Sequence, residues 1–162
     1  MRQGDFERVY AEHAESLFAF LIYRTGDRVL AEDIVADTFE RALRARRGFD
    51  RRRGSEKTWL YSIALNRLRD HARREGVHGR AVELLGRDVG EDEGEAALER
   101  VEAREALGAA LAKLAPEERE AIALRFGGDL TLRQIAKLTG EPMTTVEGRV
   151  YRALRKLRET LT

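Results

Sequence analysis

The sequence predicts an all-α protein: two small helical domains joined by a flexible linker. Three observations predict it. Apolar residues recur at intervals of three and four along most of the chain, and no run alternates as a strand would. Capping residues, prolines and glycines stand where those periodic stretches begin and end. Finally, a glycine-containing, acid-drifting stretch interrupts the pattern near residues 76–95. The predicted organisation is therefore a first domain over 1–75, a linker over 76–95 and a second domain over 96–162.

The first helix is predicted over residues 5 to about 25, with Phe6, Val9, Tyr10, Ala14, Leu17, Phe18 and Leu21 as its inner face. Thr25-Gly26-Asp27 breaks it, and Asp27 suits the cap of a second helix over about 28–46. Ile34, Val35, Phe39, Ala42 and Leu43 make that helix's inner side, and Glu32, Asp33, Asp37 and Glu40 its acidic outer rim. The rim reads equally as solvated surface or as a dock for a basic partner. Residues 48–54 form a basic loop containing Phe49, Arg51, Arg52 and Arg53. Ser55 caps a third helix to about residue 74, with Leu60, Ile63, Ala64 and Leu68 inward. Trp59, Ser62, Asn66, Arg69 and Arg73 share an adjoining face. An aromatic, an amide and arginines on one face are what single-stranded nucleic acid requires: a stacking surface, a base-edge reader and backbone contacts. Trp59 also reads as an ordinary core tryptophan, and Asn66 as a surface amide without a role.

The linker carries few large apolar residues apart from Val82, Leu84, Leu85 and Val89. A helix follows to about residue 114, with Leu107, Ala110, Leu111 and Leu114 at ideal spacing. Pro116, Glu117 and Glu118 open the next, since proline and acids favour a helix start. Ile122 and Phe126 face its core, and Gly127-Gly128 end it.

Residues 130–157 read as a helix-turn-helix. Thr131 and Gln134 form a capping box, Leu132, Ile135 and Ala136 face inward, and Gly140 supplies the positive φ that ends the first helix. Pro142 suits the first turn of the second, whose apolar stripe is Val146, Val150, Ala153, Leu154 and Leu157. Its front carries Thr144, Thr145, Glu147, Arg149, Arg152 and Arg155, a hydroxyl-and-arginine surface suited to a DNA groove. Glu147 opposes phosphate unless it accepts from a cytosine amine, and Gly148 costs about 1 kcal/mol relative to alanine inside a helix.

Charge is segregated. The net charge is only +1, yet 36% of the residues are charged. Arginines gather over 41–53, 67–74 and 149–158, and acids over 91–105. Two basic regions separated by an acidic one suggest two contacts with a polyanion. The chain has no cysteine, so it carries no disulfide, thiolate metal site or thiol switch. His13, His71 and His78 show no metal-ligand spacing, and no His, Asp, Glu or Ser grouping shows catalytic spacing. Neither a membrane-spanning run nor a signal peptide is present, which makes a cytoplasmic protein without metal or cofactor the expectation.

With both domains in view, the chain resembles an extracytoplasmic-function (ECF) sigma factor of the sigma-70 family over nearly its whole length. The first domain resembles region 2 through Phe6-Glu7-Arg8-Val9-Tyr10, Ala31-Glu32-Asp33-Ile34-Val35-Ala36-Asp37-Thr38-Phe39 and Trp59-Leu60-Tyr61-Ser62-Ile63-Ala64-Leu65-Asn66. The second resembles region 4 through Leu114-Ala115-Pro116-Glu117-Glu118-Arg119-Glu120 and the helix-turn-helix. The resemblance implies core RNA polymerase as a partner, bound at its β′ clamp helices by Glu32, Asp33, Asp37 and Phe39, with region 4 touching the β flap. It implies minus-ten DNA contacts from Phe49, Arg51, Arg52, Arg53, Lys57, Trp59, Ser62 and Asn66. It implies minus-thirty-five contacts from Arg133, Thr144, Thr145, Glu147, Arg149 and Arg152. It further implies promoter DNA and an anti-sigma factor as partners, with no enzymatic chemistry in this chain. Glu141, Glu147 and Gly148 depart from the family's usual residues. The competing expectation is a homodimeric helix-turn-helix regulator acting without polymerase on a two-fold symmetric site. A third is an interaction protein whose basic faces bind an acidic partner.

Overall fold

The computed structural model describes residues 1–75 and 94–162. The predicted linker lies, but for its last two residues, outside the described residues, and so do Val82, Leu84, Leu85 and Val89. The described residues form α1 (Gln3–Thr25), α2 (Arg28–Ala45), α3 (Glu56–Glu75), α4 (Glu95–Ala112), α5 (Pro116–Ile122), α6 (Leu132–Thr139) and α7 (Met143–Leu161), with no strand among them. None of these helices is long and apolar enough to cross a membrane.

In the first module the boundaries follow the sequence signals. Gly26, at φ 68°, ends α1, and its N–H donates to the Ile22 carbonyl at 2.8 Å. The Asp27 carboxylate accepts from the Leu30 N–H at 3.1 Å and caps α2. The Ser55 hydroxyl accepts from the Thr58 N–H at 3.1 Å and caps α3. Between α2 and α3 stands a 3-10 turn, Arg46–Gly48. Val9, Leu17, Ile34, Ala42, Leu60, Ala64 and Leu68 are buried as their spacing predicts. Tyr10 and Leu43 are not: Tyr10 is 51% exposed and lies edge-on against Phe39. Phe20, Ile22, Tyr61 and Leu65 are buried although the stripes omit them. The reason is that α1 packs against α2 and α3 and also against the second module. A helix covered on two sides has no single apolar stripe.

In the second module α4, α5 and α7 pack together, and α6 crosses α7. The Glu118 carboxylate reaches back to the Ala115 N–H at 3.2 Å and closes the start of α5. The capping box of α6 is formed, with Gln134 N–H to Thr131 Oγ1 at 3.1 Å and Thr131 N–H to Gln134 Oε1 at 2.9 Å. Gly140 adopts φ 72°. Pro142 stands one residue before α7, where its carbonyl accepts from the Thr145 and Val146 N–H groups.

Two expectations fail in this module. The first is the inward placement of Phe126: the helix ends at Gly127-Gly128 as expected, but before that it widens into a π-helical turn, Ala123–Gly127, closed by Gly128 N–H to the Ala123 carbonyl at 2.9 Å. The wider turn changes the register. Ala123 and Leu124 are thereby buried, whereas Phe126 is 54% exposed, with the Arg125 guanidinium 5.3 Å from its ring centre. Leu154, predicted inward on α7, is 38% exposed, while Val146, Val150, Ala153 and Leu157 are buried as expected.

Candidate nucleic-acid and polymerase interface

The acidic rim of α2 divides on inspection. Asp33 is exposed and has no ion pair among the described residues. Glu32 is exposed and pairs with Arg28 at 3.1 Å. Asp37 is half-buried: it pairs with Arg41 at 3.2 Å and with Arg67 of α3, so it ties two helices together. Phe39 is only 5% exposed and packs against Phe6 and Tyr10. It braces the rim from behind and is not itself presented to a partner. The family resemblance groups Phe39 with the acids, whereas its spacing puts it on the inner side of the helix, and its burial agrees with the spacing. Arg67, counted in a basic cluster, is likewise turned to the neighbouring helix.

The basic loop is ordered by its own aspartate. Asp50 Oδ1 accepts from the Arg52 N–H at 2.9 Å, and the Asp50 carbonyl accepts from the Arg53 N–H at 3.1 Å. This turn projects Arg51, Arg52 and Arg53 into solvent, where Arg51 reaches Glu56 at 3.4 Å. Arg52 and Arg53 have no side-chain ion pair among the described residues. Phe49 folds onto Trp59 with ring centres 5.0 Å apart, so the two aromatics form one half-buried platform at the base of the loop. Trp59 is thus neither a fully buried core residue nor an open stacking plate. Ser62 donates to the Trp59 carbonyl at 2.6 Å, which turns its hydroxyl inward along α3. Asn66, Arg69 and Arg73 are exposed further along the same helix. Lys57 lines one cleft with Arg51 and Arg52 and donates to the Asp129 carbonyl of the second module at 3.1 Å. Burial holds its ammonium below the usual lysine range.

The helix-turn-helix presents α7 with Thr144, Glu147 and Arg155 exposed and Thr145 half-exposed. Arg133 projects from α6, also exposed. Arg149 is held by Glu141 at 3.5 Å, which gives that unusual glutamate an internal purpose. Arg152 folds back over Gly148, where an added Cβ would meet its Nη1 at 3.0 Å, and its Nε lies 3.5 Å from Glu118. Glu118 itself is 6% exposed and accepts from Lys156 at 2.6 Å. The Lys156 hydrogen bond, with help from the Ala115 N–H and the charges of Lys156 and Arg152, holds the Glu118 carboxyl below the usual glutamate range. Sequence spacing placed Arg149 and Arg152 on a free front; it could not show that two glutamates reach them.

Among the described residues, one cluster carries metal-ligating chemistry. Glu12, His13 and Glu56 offer ligand atoms within 4.8 Å of one another. Arg8 already occupies both carboxylates, at 3.2 Å from Glu12 and 2.8 Å from Glu56. A cation there would have to displace a bound guanidinium, and the cluster is complete as a salt-bridged tie between α1 and α3.

Comparison with known proteins places both modules. The family model for Sigma-70 region 2 matches residues 9–77, and that for Sigma-70, region 4 matches residues 104–157. The ECF RNA polymerase sigma factor SigL of Mycobacterium tuberculosis is 31% identical over 157 residues, covering 94% of this chain and 86% of SigL. The ECF RNA polymerase sigma factor BldN of Streptomyces coelicolor is 29% identical over 158 residues; this chain spans 60% of BldN's length. Among solved structures, the sigma factor RpoE in complex with the anti-sigma factor NepR from Bartonella quintana matches with a TM-score of 0.75, 26% identity and coverage of 97% of this chain and 96% of that one. CnrH in complex with the cytosolic domain of CnrY matches at 0.73, with 27% identity over 99% of this chain and 89% of that one. An all-α chain with both regions in order and a SigL-level likeness end to end belongs to the ECF sigma factors of the sigma-70 family.

Proposed function

We propose that this chain directs core RNA polymerase to a small set of promoters and opens them, without covalent chemistry of its own. Residues 1–75 act as region 2, residues 76–95 as the linker and residues 96–162 as region 4. Asp33 and Glu32, the exposed part of the acidic rim, dock the β′ clamp helices, while Asp37 and Phe39 hold that surface in shape. Arg51, Arg52 and Arg53 follow the phosphates of the melted minus-ten strand, and Phe49, Lys57, Trp59, Ser62 and Asn66 border the captured base. Duplex opening is offset by that capture, since unstacking one base costs a few kcal/mol. Thr144, Thr145, Glu147, Arg149 and Arg152 of α7, with Arg133 of α6, face the minus-thirty-five duplex, and the same module touches the β flap. Joining the two readers through a linker raises their effective concentration on one promoter. An anti-sigma factor holds the protein inactive, by analogy with the NepR and CnrY complexes of its structural neighbours. The protein works where polymerase is, in the cytoplasm.

The observation that carries this reading is the pairing, in one chain, of a projecting arginine turn on the first module with a capped helix-turn-helix on the second. The experiment is in vitro transcription with purified core RNA polymerase, this protein and a fragmented genomic library. Initiation that depends on the protein and shares two spaced upstream motifs is the expected result. A footprint by the protein alone on a symmetric site, without initiation, would replace this reading with the dimeric regulator.

A further inference from the structure

Gly148 stands in the second turn of α7, well inside the helix. Glycine disfavours a helix interior relative to alanine, because its backbone loses the most freedom on folding. The backbone does not ask for it there: the described glycines with a positive φ are Gly26 and Gly140. A Cβ built on Gly148 would meet Arg152 first, with Nη1 at 3.0 Å, Cζ at 3.7 Å and Nη2 at 3.8 Å. The space for a side chain at position 148 is therefore taken by the guanidinium of the residue one turn later. That guanidinium ends a flexible side chain and could move aside, so the fold would accept alanine and gain helix propensity. What the glycine secures is the position of Arg152, not stability.

The guanidinium is also held by α5. Its Nε lies 3.5 Å from Glu118 Oε2, and Glu118 is itself fixed, accepting from Lys156 at 2.6 Å and from the Ala115 N–H at 3.2 Å. The Arg152 side chain is nevertheless half-exposed, so DNA can reach it. Residues near the N-terminus of a recognition helix read base edges, and those further along meet the flanking phosphates. By its place in the chain Arg152 belongs to the second group. Helical side chains lean toward the helix N-terminus, however, and no side chain at 148 blocks that lean. The guanidinium thus lies over the turn that carries Glu147 and follows Thr144, about 5 Å nearer the N-terminus than the Arg152 backbone. It enters the part of the helix that reads bases.

We propose that Gly148 is a specificity-determining residue of the minus-thirty-five reader: carrying no side chain, it lets Arg152 fold back one turn and present its planar fork to a base edge. Guanine O6 and N7 are the acceptors that such a fork fits. The identity of the DNA rests on the sigma-factor reading; the geometry does not. The test uses the holoenzyme formed with core RNA polymerase and a promoter that the wild type uses, its minus-thirty-five segment randomised, and the bound fraction is sequenced. Arg152→Lys keeps the charge and loses the fork, so preference at one or two neighbouring base pairs should fall by about 5- to 100-fold while binding to the rest of the pool changes little. Gly148→Ala should weaken preference at the same pairs by about three- to tenfold, as the guanidinium is pushed from its place. It should also raise the melting temperature of the free protein by about 2–4 °C. A glycine with a merely structural role would not combine lost preference with gained stability. Added to Arg152→Lys, Gly148→Ala should change the preference no further. Unchanged preference in either single variant overturns the proposal. A loss in Gly148→Ala that is equal for all sequences and persists beside Arg152→Lys also overturns it, since the glycine would then make room for DNA and not for the arginine. If the wild type initiates from no promoter, the sigma reading fails by itself, and the same proteins on a random duplex library without polymerase decide the role of Gly148.

Discussion

The basic loop of the first module and the recognition helix of the second both carry arginines for DNA, but they hold them differently. In the loop the backbone does the holding: Asp50 folds the turn, and Arg52 and Arg53 are left without a carboxylate among the described residues. On α7 other side chains do it: Glu141 holds Arg149 and Glu118 holds Arg152. Free cations meet phosphate at no exchange cost. Paired ones must trade one carboxylate for another anion, so their net gain on binding is smaller. We expect the loop to supply affinity and the helix to supply register.

The largest test of that difference removes the loop's charge. Arg51→Ala, Arg52→Ala and Arg53→Ala together should reduce the salt slope of single-strand binding by about two, from three phosphate contacts, and weaken binding by about 10- to 100-fold at moderate salt. Arg149→Ala should change the duplex salt slope by about one or less. Equal losses from loop and helix would erase the distinction. Next in size is Glu118→Gln. It leaves Lys156 and Arg152 without their anion inside the second module. Both cations are half-exposed and can turn to water, so the cost should be about 1–2 kcal/mol. For a chain of this length that lowers the melting temperature by about 3–6 °C in calorimetry. A variant that melts with the wild type would show that Glu118 is a bystander. Smaller still is Glu141→Gln, which frees Arg149 without altering its reach. Duplex affinity should rise about two- to fivefold in a binding titration if the pair is worth what partly exposed pairs are worth. A fall in affinity would mean that Glu141 positions the arginine rather than competing for it.

How far these surfaces were legible in the sequence follows the same divide. Caps and local turns are written in adjacent residues, so Asp27, Ser55, the Thr131–Gln134 box and Gly140 all appear where the sequence puts them. The basic loop is local too. What could not be read depends on what comes to lie alongside. Gly127-Gly128 looks like an ordinary helix stop; only the approach of Phe20 and Tyr61 shows that the pair packs against the first module. Phe126 fits the α-helical period and is exposed because the chain departs from that period at Ala123. Phe39 is buried as its inner-face spacing predicts, behind the acids with which the family resemblance groups it. Tyr61, buried between Ser16 and Gly128, was hidden inside a motif read for its neighbours Trp59 and Asn66.

The smallest expected effect separates the modules by pH. His13, beside the loop, has its imidazole held below the ordinary value near 6.5, chiefly by burial and then by the charge of Lys57. A histidine with a depressed folded value favours the neutral ring, so the first module keeps its full stability above about 6.5 and loses some as pH falls below it. Glu118 obeys the same sign in another window. Its carboxyl is held below the ordinary 4.5, so its contribution is complete above that value and disappears only as the solution becomes more acidic still. Amide exchange followed from pH 7.5 to 5.5 should therefore show α1 and α3 loosening slightly while α5 and α7 stay protected, and His13→Gln should remove the slope from α1 and α3. Loosening of both modules together, unaltered in His13→Gln, would mean that the contact between the modules rather than the imidazole sets the response, and the two regions would then have to be treated as one folding unit.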